Sequence, residues 1–74
     1  MTFDENGRAV FTDQERTSIA AEHDRIAARL WASVERLEKA GNLSQADRFR
    51  AQACDAEDLA NAARTSSNAL ARLY

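Results

Sequence analysis

An all-α fold, two long helices folded back on each other as an antiparallel hairpin, is predicted by three observations. Proline is absent and glycine occurs only twice in 74 residues, a composition that suits helix and disfavours a loop-rich chain. Apolar residues recur at the i, i+3, i+4, i+7 spacing through two long segments. Between these segments the dipeptide Gly41-Asn42 interrupts the pattern, and so short a link makes the two helices antiparallel neighbours. The chain divides accordingly into an N-terminal arm, residues 1–11, and a helical hairpin, residues 12–74.

The arm contains Asn6-Gly7 between two short segments, and Asn-Gly is the preferred two-residue hairpin turn because both positions accept positive φ. A turn centred there sets Phe3 opposite Val10. So small a β-hairpin is stable only if Phe3, Val10 or Phe11 dock on the helices; otherwise the arm is extended.

Thr12-Asp13-Gln14-Glu15 is a capping box, so the first helix is expected over residues 13–40. At 100° per residue, Ile19, His23, Ile26, Leu30, Val34 and Leu37 fall in one narrow stripe, the pattern of a buried face. Gly41 can take the left-handed conformation that ends the helix, and Lys39 sits favourably at the negative end of its dipole.

Ser44, with Asp47 three residues on, predicts the start of a second helix running over residues 45–73. Its wheel gathers Phe49, Ala53, Ala56, Ala60, Ala63, Ser67, Leu70 and Tyr74 on one side, with Leu59 beside them. Small side chains let helix axes approach, so the large stripe of the first helix is expected to fill the alanine face of the second. The run Thr65-Ser66-Ser67-Asn68 consists of poor helix formers and is the expected place for a kink.

Two helices cannot enclose a stripe five turns long, and a chain of this size is near the limit at which one core offsets the entropy of ordering it. Self-association is therefore expected, most simply a two-fold homodimer forming a four-helix bundle.

Composition excludes several functional classes. Ten basic against twelve acidic residues give a net charge of -2, which supplies no global drive toward nucleic acid or an anionic membrane. No run approaches a membrane span, and a signal peptide's basic and apolar regions are missing from the N-terminus. A single cysteine, Cys54, rules out an intrachain disulfide and makes the cytoplasm the expected compartment. No glycine-rich phosphate loop, GxSxG or HExxH occurs, and one histidine with one cysteine cannot build a zinc site. The expectation is no catalytic residue, no metal and no cofactor.

The candidate sites are therefore contact surfaces. Trp31 lies beside the stripe and widens the apolar face, so it either packs under the N-terminal arm or in a dimer seam or is a hot spot for a foreign partner, since tryptophan often dominates interface energetics. With Phe3, Val10 and Phe11 of the arm it forms the candidate protein-binding set. Arg25, Arg29, Arg36 and Lys39 share the outer face of the first helix, either as an ordinary solvated face or as a phosphate-binding stripe. Cys54, on the polar side of the second helix, is a candidate free thiol. His23 is expected to be a boundary or core residue.

In helix lengths, short turn and alanine-bearing face, residues 13–73 resemble the Rop-type helical hairpin, a small dimeric four-helix bundle that binds paired RNA loops. That resemblance implies that Arg25, Arg29, Arg36 and Lys39 are the residues to test for RNA contact. In size and acidity the chain is similar in kind to small phage or mobile-element inhibitors, anti-CRISPR proteins among them. The leading expectation is a non-enzymatic interaction module, an adaptor or inhibitor that occupies a protein surface. A nucleic-acid-binding bundle is the alternative.

Overall fold

The structure, a computed structural model, describes residues 2, 3, 5, 7 and 9–73. In chain order it contains β1 (Thr2–Phe3), β2 (Ala9–Val10), α1 (Asp13–Lys39), α2 (Leu43–Thr65) and α3 (Ser67–Leu73). No helix among the described residues is long and apolar enough to cross a membrane.

The capping box forms as expected. The Glu15 amide donates to the Thr12 hydroxyl at 3.1 Å and the Thr12 amide donates to Glu15 Oε1 at 2.9 Å. The positive chain terminus, and after it the Thr12 amide bond, lower the Glu15 carboxyl from an ordinary 4.5 to about 2. Because the folded value is the depressed one, this contribution is complete above about pH 4.5 and is lost as pH falls through about 2. Side-chain carbon shifts followed by NMR in acid should place the Glu15 midpoint near that lower value.

At the far end of α1, Gly41 adopts φ of 78°. The Gly41 amide donates to the Glu38 carbonyl at 3.0 Å and the Asn42 amide to the Leu37 carbonyl at 2.9 Å, the paired bonds of a Schellman motif. Asn42 then caps α2 directly, its side chain accepting from the Gln45 amide. The expected start at Ser44 is thus displaced toward the turn. Asn42 and Gln45 have the same spacing as a capping box, and the Schellman turn already holds Asn42 where a cap is needed.

At the other end α2 stops at Thr65 because Ser66 is extended (φ −172°, ψ 165°). Ser66 also starts α3, its hydroxyl accepting from the Ala69 amide at 3.0 Å. The expected single helix to residue 73 is therefore two helices, broken within the run of poor helix formers. The break lets the arm and α3 meet: the Phe11 amide donates to the Ser67 hydroxyl at 2.8 Å. Phe11, Ala20, Ala63 and Leu70 form a buried cluster, with Ala9, Ile19, Leu59 and Ala71 packed around it.

The arm is a minimal antiparallel hairpin, but Phe3 pairs with Ala9 and Thr2 with Val10. The expected Phe3–Val10 pairing is therefore off by one residue. Between the strands Gly7 has a positive φ of 77°. Asn6 lies outside the described residues, as does Tyr74.

The main correction concerns which face of α1 is buried. The expected centre was the large-residue stripe; the buried residues are Ala20, Ala27 and Val34. Opposite them α2 buries Ala46, Ala53, Ala56, Ala60 and Ala63. Alanine therefore meets alanine, and α1 is turned by about 60° from the orientation its large side chains suggested. Ala20 and Ala27 of α1 and Ala46, Ala53 and Ala60 of α2 recur at seven-residue spacing, and such small side chains allow helix backbones to approach closely. The larger residues are left at one edge, where Ile26 keeps 37% of its surface exposed. The molecule is a rod of 50 × 20 × 15 Å with a radius of gyration of 14.9 Å, well above the roughly 11 Å of a globular chain of this length.

Candidate interaction surface

The two edges of the α1–α2 seam differ in chemistry. One edge is closed by polar rungs. Arg50 of α2 bridges to Glu38 of α1 at 2.8 Å, the Trp31 indole N–H donates to Glu57, and Arg64 pairs with Asp24. Successive rungs lie seven residues apart on both helices, two turns each, so the ladder repeats with the alanine rows. Arg16 extends it by donating to the Ala63 carbonyl at 3.2 Å. Partly exposed ion pairs contribute at most about 1 kcal/mol each. Their role is to fix antiparallel register, since a slip of one turn breaks every rung.

Among the described residues the opposite edge has no such closure. Ile19, His23, Leu30 and Leu37 of α1 and Phe49 and Leu59 of α2 are only partly buried, and Ile26 is exposed. His23 Nδ1 lies 2.9 Å from the Ile19 carbonyl oxygen, so that nitrogen carries the proton and donates within its own helix. A strip of large apolar residues about 27 Å long therefore borders solvent from residue 19 to residue 37.

Trp31 is 38% exposed and belongs to the polar ladder, at the opposite edge from the large-residue strip. Of the arm residues, Phe3 is 65% exposed and Val10 38%, whereas Phe11 is buried and becomes a contact only if the arm lifts. The arm therefore docks at α3, away from Trp31. Arg25, Arg29, Arg36 and Lys39 are all exposed on α1; Arg36 donates to the Ser33 hydroxyl at 3.0 Å. Cys54 is an exposed free thiol. Among the described residues, no group of three or more His, Cys, Asp or Glu is arranged to hold a metal.

The ladder partners Asp24, Glu57 and Arg64 were not identified from sequence, because the cross-helix pairs are separated by 26 and 40 positions. The signal was present in the matched seven-residue spacing of 24, 31, 38 and 50, 57, 64. No protein-family model, curated protein or solved structure matches this chain.

Proposed function

We propose that this chain is a small non-enzymatic protein-interaction module, an adaptor or inhibitor acting by surface binding, whose working form is a homodimeric four-helix bundle. The observation that carries the proposal is the contrast between the two edges of the hairpin. One is sealed by side-chain pairs; the other presents a continuous strip of isoleucine, leucine and phenylalanine. Among the described residues only Phe11, Val34 and Leu70 are large apolar side chains buried within the single chain, too few to make a lone hairpin robust. Covering the open strip with a second copy supplies the missing burial. The foreign partner, a protein, then meets the surfaces left outside the bundle, Trp31 and the exposed arm residues Phe3 and Val10.

Sedimentation equilibrium tests the dimer. Association at micromolar concentration is expected, and Leu30→Glu should shift the population to monomer with partial loss of helical circular dichroism. A wild-type chain that stays monomeric and fully helical throughout that range is inconsistent with the proposal.

The nucleic-acid alternative has its own support in the exposed basic face of α1. Binding of that kind has to weaken steeply with salt and disappear when Arg25 and Lys39 are reversed in charge. A protein partner instead responds to Trp31→Ala or to changes at Phe3.

A further inference from the structure

The open edge of α1 carries a second seven-residue pattern. Ile19, His23, Ile26, Leu30, Ser33 and Leu37 follow one another at alternating spacings of four and three, the seam of a coiled coil. One flank of that seam, Ala20, Ala27 and Val34, is already buried. The other flank is the residue just before His23, Leu30 and Leu37: Glu22, Arg29 and Arg36, with Glu15 one repeat earlier. This flank is acidic in the first half of α1 and basic in the second.

These charges differ from those at the sealed edge. Asp24, Glu38, Arg50 and Arg64 are all engaged in ion pairs within the chain. Among the described residues neither Glu22 nor Arg29 is in an ion pair, and both are exposed. Glu22 and Arg29 therefore stand beside the uncovered strip with their charges not engaged in an ion pair.

We infer that the strip docks against the same strip of a second copy with the two α1 helices antiparallel. The inference rests on the proposed dimer and specifies its geometry. Antiparallel pairing sets Glu22 of each copy against Arg29 of the other, and the two-fold axis makes the match reciprocal, as a closed symmetric interface requires. Arg36 then faces Glu15, whose carboxylate also holds the Thr12 amide. In the seam, Ile19 layers with Leu30 and His23 with Ile26. A parallel pair would instead bring Glu22 level with Glu22 and Arg29 level with Arg29. Arg25 and Lys39 remain outside the contact.

A charge swap tests this geometry on the full chain. Arg29→Glu removes two attractive pairs and creates two repulsive ones, so it should weaken dimerisation about tenfold at low salt. Adding Glu22→Arg to that chain should restore wild-type affinity within about twofold, since the doubly exchanged flank is again self-complementary. Spin labels at position 39 in a Cys54→Ser, Lys39→Cys chain should lie about 40 Å apart in the antiparallel dimer, against a helix spacing of about 10 Å in a parallel one. A dimer without rescue by the second substitution, or with closely spaced labels, overturns the antiparallel pairing and leaves the dimer intact. A wild-type chain that is monomeric throughout overturns the dimer as well.

Discussion

Replacing Ala53 with leucine is expected to destabilise the fold by about 1 to 3 kcal/mol, the usual cost of inserting extra methylenes into a well-packed seam. Ala53 has no exposed surface, and it sits in the middle of the alanine row that faces Ala20, Ala27 and Val34. A leucine there has no cavity to enter, so the helix axes must separate. Separation also stretches the Arg50–Glu38 and Trp31–Glu57 rungs on either side, and the effect therefore exceeds steric strain alone. For a chain of this length total stability is on the order of 4 to 11 kcal/mol, so the loss is a large fraction of it. Urea unfolding followed by Trp31 fluorescence should show a lower midpoint, and the native emission should already be shifted because the indole loses its Glu57 partner. Ala51→Leu, on the exposed side of the same helix, should change stability by less than about 0.5 kcal/mol. Equal effects at the two positions would mean that the alanine seam is not a close contact.

An alanine seam of this kind leaves little trace in the sequence. Hydropathy patterning ranks residues by apolar size, so Ile26 and Leu30 drew the predicted core toward themselves. What decides the orientation of α1 is the fit of two backbones along the buried rows Ala20, Ala27 and Val34 of α1 and Ala46, Ala53 and Ala60 of α2, a tertiary effect that no single helix encodes. Local hydrogen-bonding motifs were legible because they close within four residues. Thr12 with Glu15 marked the start of α1, and Gly41 marked its end. Where two local motifs competed, as Asn42 and Ser44 did for the cap of α2, the choice depended on the preceding turn. The Thr65–Asn68 run showed where α2 weakens, but the clean break needed Ser66 to serve two helices and Ser67 to bind the arm. For the candidate surface, the basic face of α1 and the free thiol at Cys54 were visible from spacing. The sealing of one edge and the openness of the other were not, since both depend on that 60° turn.

Leu70→Ala should have the second large effect, about 2 to 5 kcal/mol for truncating a fully buried leucine, with a different spatial pattern. Leu70 is wholly buried, and its cluster joins α3 to Phe11 of the arm and to Ala20 and Ala63 of the hairpin. Removing it leaves a void at the junction of three elements, of which two are short. β1, β2 and α3 have little stability of their own: a two-residue strand pair and a seven-residue helix are both below the size that persists alone in water. They should therefore detach before the hairpin unfolds. Amide exchange should become fast at Phe11 and throughout α3 in the variant, while protection persists around Ala27, Val34 and Ala53. Ser67→Ala, which removes the acceptor of the Phe11 amide, should give the same local pattern more weakly, at about 1 kcal/mol. Uniform loss of protection along α1 and α2 would show instead that the arm and α3 are integral to the hairpin. Detachment would also expose Phe11, adding a third apolar residue of the arm to Phe3 and Val10 at the surface proposed to meet a foreign protein. A partner that gains affinity for the Leu70→Ala chain would then be binding the lifted arm; one that loses it needs the arm held in place.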